Sequence, residues 1–377
     1  MLKNKVLFLI TALGFGGAET QTIILANGLA AKGYQVMVIS ILDTADLKDK
    51  LNASVRFETL DNRKYMDFAA FRKLQKLYAE FKPDNFFMID LYPLFYGYLL
   101  LRGEKMQVRT LAVIHNTIPK GKKEELQNHY YKHMLNMLDQ IIFVSYNQRE
   151  YWLAKYRLNK VKTLVIQNGV DVKWFHSYIG KMKRESIVKP LGWLDNPIVF
   201  VMNSCLRPEK KHEDMLDALV MLRADGFNTT LLMVGDGVQR PFLEERIKQL
   251  GLEKYVYITG YVKDVRPFLH AADISVLTSV SVETLSMAAI ESMAMSKPLV
   301  LSDIGGASEL VETGCNGFLY PAGDTQALYG ALKKMISECN LQKMGEFSYR
   351  RAHLYFDRDK MLDRYVNILR NLLEETG

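Results

Sequence analysis

The sequence predicts an α/β protein built from two doubly wound units, and three observations support this prediction. Short apolar runs alternate with segments of helical periodicity along the chain, which indicates parallel strands joined by helical crossovers. The alternation restarts after a polar stretch at 176–197 that is punctuated by Pro190 and Pro197. A length of 377 residues with 49% hydrophobic composition is sufficient for two packed cores.

The strands of each unit are predicted from the apolar runs. The helices are predicted from the helical periodicity of the segments between those runs. We expect a first unit at 1–175, a linker at 176–197 and a second unit at 198–356. The predicted strands of the first unit lie at 6–11, 35–41, 86–90, 108–114, 140–144 and 163–166, with a helix at 19–32. Those of the second unit lie at 198–203, 229–234, 256–259, 274–277, 298–301 and 318–320, with helices near 210–224 and 240–250. The end of the chain, about 351–373, has the apolar period of a helix.

Charge and cysteine content restrict the class of protein. Residues 1–180 hold 25 Lys and Arg against 16 Asp and Glu, whereas residues 181–377 hold 24 against 26. The basic half favours an anionic partner, but no nucleic-acid module accompanies it, so nucleic acid is not expected. Three cysteines without paired spacing predict neither disulfides nor a zinc site and fit a reducing, cytoplasmic compartment. The apolar stretch 86–101 is broken by Asp90 and Pro93, so no transmembrane helix is predicted.

The loop after the first predicted strand is rich in glycine and precedes a helix. Gly14, Gly16 and Gly17 let backbone N–H groups approach a ligand, and the following helix start favours an anion such as a diphosphate. A dinucleotide site, with Asp43 as the ribose-binding acid, is the alternative. It is disfavoured because Glu19 stands where the last glycine of that motif is required.

A second informative segment pairs two carboxylates eight residues apart after the strand at 274–277. Glu283 is expected in the loop before a helix and Glu291 about two turns inside it. The N–H groups of Thr284, Leu285 and Ser286 could hold a phosphate, while Glu291 reaches ribose hydroxyls. A capping acid beside a surface glutamate would produce the same pattern.

Two further segments lie at predicted carboxyl ends of strands, where ligands of such sheets bind. Arg207 and Lys210 follow the strand at 198–203 and could neutralise a departing diphosphate. His115 closes the strand at 108–114 and is placed to touch a substrate, although an isolated histidine is more often structural.

Taken together, these motifs resemble those of glycosyltransferase family 4, the retaining enzymes of the GT-B architecture with two facing Rossmann-like domains and an interdomain cleft. The resemblance covers nearly the whole chain in order. It rests on Gly16-Gly17-Ala18-Glu19, Ile114-His115, the turn Asn168-Gly169-Val170-Asp171, Pro208-Glu209-Lys210, and the E-x7-E element from Glu283 to Glu291.

The resemblance implies a role for each matched position. Glu283 would lie near the donor sugar, Glu291 would bind the ribose, and His115 would contact the donor sugar or the reacting region. Gly16, Gly17, Lys210 and the amides of Thr284, Leu285 and Ser286 would hold the diphosphate. Glu19 and Asn116 would line the acceptor side, and the C-terminal helix, about 357–377, would pack back on the first unit.

One position departs from the family pattern. The family usually places an arginine five residues before its lysine, where this chain has Cys205. Arg207 supplies the charge from a shifted position, or diphosphate binding is weakened.

The function implied by the resemblance is retaining transfer of a hexose or N-acetylhexosamine. The donor would be a nucleotide-diphosphate sugar, a UDP-sugar above all, and the acceptor a hydroxyl of a glycan or lipid-linked molecule in polysaccharide or glycoconjugate biosynthesis. Because Lys210, Arg207 and helix amides would stabilise the departing charge, neither a metal nor another cofactor is required. The alternatives are a nucleotide-sugar epimerase, a phosphorylase, or a non-catalytic sugar-nucleotide-binding protein.

A peripheral contact with the inner, anionic face of a membrane is a further hypothesis. An acceptor tied to a lipid diphosphate would be attracted to the basic first unit. The candidate contacts are Lys120, Lys122, Lys123, Tyr130 and Tyr131.

Overall fold

In the computed structural model the chain divides into two compact units. The first comprises Met1–Asn168 with Arg358–Gly377, and the second comprises Gly169–Asp357. The structure describes residues 4–62, 67–102, 108–115, 121–193, 195–281 and 283–374. Asn116 and Lys120 lie outside the described residues, as does the side chain of Lys123.

The first unit is built on a seven-stranded sheet in which the paired strands are parallel. Its strands are β1 (Lys5–Ile10), β2 (Gln35–Ser40), β3 (Val55–Thr59), β4 (Asn85–Ile89), β5 (Arg109–Ile114), β6 (Gln140–Phe143) and β7 (Thr163–Val165). Their order is β3-β2-β1-β4-β5-β6-β7, so the direction of winding reverses between β1 and β4. β4 is buried along its whole length, as its apolar run requires in a sheet covered on both faces.

Helices cover this sheet, and the last of them comes from the far end of the chain. They are α1 (Gly17–Ala31), α2 (Phe68–Phe81), α3 (Leu91–Leu101), α4 (Lys122–Met137), α5 (Tyr146–Tyr156) and α15 (Arg358–Glu374). Side chains cap the N-termini of α2 and α5. Asp67 accepts hydrogen bonds from the amides of Ala69 and Ala70, and Ser145 accepts one from the amide of Gln148.

The second unit repeats this architecture around its own core, with a six-stranded sheet whose paired strands are parallel. The strands are β8 (Ile198–Asn203), β9 (Thr229–Val234), β10 (Val256–Ile258), β11 (Ile274–Leu277), β12 (Leu299–Ser302) and β13 (Gly317–Tyr320). The helices are α6 (Val172–His176), α7 (Glu185–Val188), α8 (His212–Ala224), α9 (Arg240–Gln249), α10 (Arg266–Ala271), α11 (Met287–Ala294), α12 (Ala307–Leu310), α13 (Thr325–Glu338) and α14 (Leu341–Tyr355). The strand order β10-β9-β8-β11-β12-β13 reverses between β8 and β11.

The predicted doubly wound α/β class is confirmed, and the differences concern individual segments. β3 is an additional edge strand, and the single helix expected at 351–373 is two helices separated at Phe356 and Asp357. The chain leaves the first unit after Asn168. The segment 176–197 lies inside the second unit, where Arg184 bonds Asp273 at 2.9 Å.

The residues expected to touch a membrane have different environments on α4. Tyr130 is 60% exposed, but Tyr131 is only 7% exposed and packs in the first unit's core, so its predicted membrane contact is wrong.

In the described part of the chain, no helix combines the length and the apolar composition needed to cross a bilayer.

Candidate active site

The carboxyl ends of β8 and β11 define the candidate site of the second unit. Ligands of open parallel sheets bind outside the strand ends where the winding reverses, and these two paired strands flank that reversal. The strands end at Asn203 and Leu277. We call the segments that follow them, 204–211 and 278–291, the second-unit site.

Lys210 and Glu283 meet in this site as an ion pair. Lys210 ends a short 3₁₀ turn, and its ammonium donates to the Glu283 carboxylate, with the two side chains 19% and 17% exposed. Ser279 Oγ donates to the same carboxylate oxygen at 3.1 Å. Thr278 Oγ1 lies 2.7 Å from the Lys210 carbonyl oxygen, which ties the segment after β11 to the one after β8. The two predicted residues are therefore held together by the loops themselves.

Glu291 also lies at this edge of the sheet. Asn203 Nδ2 donates to Glu291 Oε2 at 2.8 Å, so the last residue of β8 holds the carboxylate. α11 begins at Met287, which places Glu291 a little over one turn into the helix rather than the two turns expected. The sequence analysis missed Asn203, because only the pairing of β8 with β11 brings it to α11.

The residues predicted to bind phosphate through their amides form the turn that leads into α11. Thr284, Leu285 and Ser286 are buried, and the Ser286 hydroxyl caps the helix by accepting from the Ala289 amide at 3.3 Å. Gly305, at φ +56°, packs beneath this turn, where a Cβ would lie 1.8 Å from the Glu283 carbonyl oxygen. Only glycine permits that approach, and the diphosphate contact of the three amides stays a prediction.

Cys205 and Arg207 are exposed on either side of the fully buried Leu206. The Leu206 amide donates to the Asp236 carbonyl at 3.0 Å and anchors the loop. The Arg207 guanidinium forms no ion pair within the described part of the chain. The shifted-arginine hypothesis stays a prediction.

A buried histidine contacts the loop that follows β8. Ser204 Oγ lies 2.8 Å from His212 Nε2, at the start of α8. Burial, and secondarily the charge of Lys210, lowers the pKa of His212 to about 4, so its imidazole is neutral at pH 7. Sequence reasoning did not single out this pair, because neither residue stands in a chemically distinctive pattern.

In the first unit the glycine loop leads from β1 into α1. Gly16 caps α1 in an extended conformation and Gly17 is its first residue. The Glu19 side chain lies against the start of α1. A Cβ added to Gly16 would lie only 2.1 Å from Glu19 Oε2. Glu19 thus occupies the position of a capping acid, three residues after the cap. Its acceptor-side role stays a prediction.

His115 follows β5 directly and lines a small pocket with Gln21, Thr22, Asn168 and Tyr365. Burial lowers the pKa of His115 to about 4, so the ring is neutral at pH 7.

Asp90, at the end of β4, holds the backbone of His115. Its Oδ1 accepts from the His115 amide at 2.7 Å. Its backbone has φ +68° and ψ −178°, a region otherwise almost reserved for glycine. Asp90 was considered at the sequence level only as a charge that interrupts an apolar stretch, because its conformation is not readable from its neighbours.

Two family profiles match this chain in succession. The profile described as Glycosyltransferase Family 4 matches residues 15–174, and the one described as Glycosyl transferases group 1 matches residues 196–338. The chain belongs to the group 1, family 4 glycosyltransferases. The matched ranges contain His115, Lys210, Glu283 and Glu291.

Relatives of known name agree with this family. O-antigen chain mannosyltransferase C of Escherichia coli is 26% identical over 96% of this chain and 95% of its own length. UDP-Gal:alpha-D-GlcNAc-diphosphoundecaprenol alpha-1,3-galactosyltransferase of Escherichia coli is 26% identical over 61% of each chain. Several other curated relatives are matched over only 42% to 61% of their own length.

The fold agrees with solved structures as well. The crystal structure of Anabaena Alr3699/HepE in complex with UDP has a TM-score of 0.84 and 23% identity, covering 97% of this chain and 100% of that one. The architecture is therefore that of the GT-B glycosyltransferases.

Among the described residues, no group of three or more His, Cys, Asp and Glu side chains is arranged to hold a metal ion. The expectation that the protein needs neither a metal nor another cofactor stays a prediction.

Proposed function

We propose that this protein transfers a sugar, with retention of anomeric configuration, from a nucleotide-diphosphate sugar to a hydroxyl group of a glycan or lipid-linked acceptor. The observation that carries the proposal is the meeting of Lys210 with Glu283 at the strand reversal of the second unit, with Glu291 held by Asn203 at the same edge. A cation and two carboxylates at that edge suit a ligand with a diphosphate, a sugar and a ribose.

Lys210 would stabilise the charge that develops on the departing diphosphate. Its ammonium is paired with Glu283. In the donor complex the diphosphate would replace that carboxylate as the partner of Lys210, and Glu283 would accept hydrogen bonds from sugar hydroxyls. Arg207, exposed two residues after Cys205, would add a second cation.

Glu291 would accept hydrogen bonds from the ribose hydroxyls of the donor. One of its oxygens accepts from Asn203, which fixes the carboxylate. His115 would act on the sugar as a neutral imidazole, because burial lowers its pKa to about 4.

A UDP-sugar is the donor that we propose, and a polysaccharide or a lipid-linked glycan the product. In support, a structural neighbour carries UDP, and the name of one Escherichia coli relative specifies a UDP-Gal donor and a diphosphoundecaprenol acceptor. The mannosyl, galactosyl and kanosaminyl relatives differ in sugar, so we propose a hexose or an amino- or N-acetylamino hexose without choosing among them.

A screen of nucleotide sugars for protection against thermal unfolding tests the donor. The selected donor is then assayed for transfer, and the anomeric configuration of the product is read by NMR. We expect Lys210→Ala to lower kcat/KM by about a hundredfold or more, because it removes a group aimed at the leaving charge. Lys211→Ala is the matched control, since Lys211 is more exposed and pairs with Glu213 at 3.0 Å.

The proposal fails if the two lysine variants lose activity equally, or if the wild-type chain binds no nucleotide sugar. Donor turnover without any acceptor would instead indicate an epimerase or a phosphorylase. Donor binding without turnover under any condition would indicate a binding protein.

A further inference from the structure

The pocket beside His115 is enclosed by three parts of the first unit. Helix α1 contributes Thr22, the end of β4 contributes Ile89, and the returning helix α15 contributes Tyr365. The residues that line it all belong to the first unit. We call this space the His115 pocket.

Two buried polar side chains line the His115 pocket. Tyr365 is 4% exposed and Asn168 is 6% exposed. In the part of the chain that the structure describes, neither the Tyr365 hydroxyl nor the Asn168 side-chain amide forms a hydrogen bond. Burying a polar group without a partner costs free energy, so most such groups bond to protein or to ordered water. The two side chains therefore indicate a polar ligand in the pocket.

The size and the charge of the pocket determine which ligand fits. The space is sufficient for about one water molecule, which excludes a sugar ring or a phosphate group. No Asp, Glu, Lys or Arg side chain is among the described residues that line it. His115 is also neutral at pH 7, because burial lowers its pKa to about 4. An uncharged ligand that both donates and accepts is required, and a water molecule has these properties.

We propose that the His115 pocket binds one water molecule, through which Tyr365 and Asn168 position the imidazole of His115. The Tyr365 hydroxyl and the Asn168 amide each form one hydrogen bond with the water, and a ring nitrogen of His115 forms the third. A neutral imidazole carries its proton on one of two nitrogens, and the hydrogen bond at one nitrogen decides which. The water therefore fixes the tautomer that His115 presents to the substrate, a step that rests on the proposed function.

Thermal unfolding of the full chain without donor or acceptor tests the water site. Tyr365→Phe keeps the ring and removes only the hydroxyl. If the hydroxyl bonds to water, the variant loses a hydrogen bond, and its unfolding midpoint should fall by about 2–4 °C. In a dry pocket the same change would remove an unpartnered buried hydroxyl and raise the midpoint. A midpoint that rises or does not change overturns the proposal.

The tautomer of His115 is read by NMR of the chain labelled with 15N-histidine, with His115→Gln used to assign its signals. We expect one tautomer to dominate in the wild type. Tyr365→Phe should change the ratio of the two tautomers by about fivefold, which corresponds to the loss of one hydrogen bond. Asn168→Ala should change the ratio in the same direction. An unchanged ratio in both variants overturns the positioning role.

Tyr78→Phe is the matched control, because it removes the hydroxyl of another tyrosine buried in the first unit. Tyr78 is 1% exposed and its ring lies 5.7 Å from that of Phe86, whereas the ring of Tyr365 lies 6.1 Å from that of Phe87. Successive residues of a strand point to opposite faces of the sheet. Tyr78 therefore lies on the face away from the pocket, and its replacement should leave the tautomer ratio of His115 unchanged.

Steady-state kinetics separate this proposal from the proposed function. Tyr365→Phe should lower kcat by about fivefold to tenfold and change the KM for the donor by less than about twofold, whereas Tyr78→Phe should change neither. If the wild type transfers no sugar, sugar transfer is abandoned, and the midpoint and the tautomer ratio still decide the water site. If transfer is measured and Tyr365→Phe retains the kcat of the wild type, only the positioning role is abandoned.

Discussion

Asp90 occupies a backbone conformation that a residue with a side chain seldom adopts, and it does so beside a residue proposed to meet the substrate. Its φ of +68° with ψ of −178° costs about 1–3 kcal/mol relative to an unstrained residue. The carboxylate held in this way accepts from the His115 amide at 2.7 Å. We interpret Asp90 as a positioning residue that sets the direction in which His115 leaves β5.

Substitutions of Asp90 distinguish the free-energy cost of its strained backbone from its effect on the orientation of His115. Asp90→Gly removes the strain and the carboxylate together, so the free energy of unfolding should change by less than about 1 kcal/mol. The rate constant kcat should fall by about tenfold, because His115 loses its fixed orientation. Asp90→Asn keeps an oxygen for the amide and should retain most of kcat. Unfolding in urea and steady-state kinetics check both results, and an unchanged kcat in Asp90→Gly contradicts the interpretation.

His212 makes the stability of the second unit depend on pH. Its pKa is about 4 when folded, against about 6.5 when unfolded, so the unfolded chain binds more protons between these values. Stability is therefore complete above pH 6.5 and decreases as the pH falls towards 4. From pH 7 to pH 5 this group alone should remove about 2 kcal/mol. In His212→Asn that decrease should be smaller by a similar amount, measured by urea unfolding at both values. An unchanged pH dependence in the variant would exclude His212 as the cause.

Residues that act through their chemical type could be predicted from the sequence, whereas those that act through the fold could not. Lys210, Glu283 and Glu291 were found because charged side chains after apolar strands form a readable pattern. Asn203 and Asp90 were not, because the importance of the first depends on the pairing of β8 with β11, and that of the second on a single φ angle.

At the scale of elements, the contact of α1 with α15 depends on one glycine. A Cβ on Gly28 would lie 2.4 Å from Leu362 Cδ2, and Leu362 is itself only 5% exposed. The helices therefore approach each other more closely than alanine would allow. Lys32 and Asp363 add an exposed ion pair at 2.9 Å, which contributes little by comparison.

Two glycine substitutions inside helices should have opposite effects. Gly28→Ala should lower the free energy of unfolding by about 1–2 kcal/mol, because overpacking exceeds the gain in helix propensity. Gly330→Ala in α13 should raise it by about 0.5–1 kcal/mol, since nothing lies within 4 Å of its added Cβ. Adding Leu362→Ala to Gly28→Ala tests the cause, and a double variant whose cost equals the sum of the two single costs would show that the helices are not in tight contact.

The elements that the sequence analysis missed have physical reasons for being missed. β3, at the sheet edge, alternates apolar and polar side chains as Val55-Arg56-Phe57-Glu58-Thr59, and only Val55 of the five is fully buried. An apolar run was the signal for the other strands. The interruption at Phe356 and Asp357 was missed because the apolar period continues across it, from Ala352 to Met361.

At the scale of the molecule, the first unit is discontinuous in sequence. Its sheet is made from residues before 168, but α15 completes its core, with Tyr365 6.1 Å from the ring of Phe87 and the Leu369 carbonyl accepting from Arg109 at 3.2 Å. The second unit lies wholly between these pieces and has its own core. The two successive units could be predicted from the sequence, because the alternation of strands and helices starts again after 176–197. The return of the chain end could be expected only from the family resemblance.

Disrupting α15 should therefore weaken the first unit selectively. Leu362→Ser/Tyr365→Ser/Leu369→Ser removes three buried apolar side chains, which should cost the first unit several kcal/mol, at about 2–5 for each. Hydrogen exchange read by mass spectrometry should show β1 and β4 losing protection while β8 and β11 keep theirs. Arg364→Ser/Asn367→Ser/Arg370→Ser changes three exposed positions of the same helix and should leave both units protected. Equal loss of protection in both units would mean that they unfold together.

The late arrival of α15 also determines the order in which the molecule can be completed during translation. A nascent chain that has emerged as far as Asp357 already contains every residue of the second unit but still lacks the helix that covers Gly28 and Phe87. The unit whose synthesis begins first is therefore completed after the other, and until α15 has emerged the apolar surface that it covers is open to chaperones.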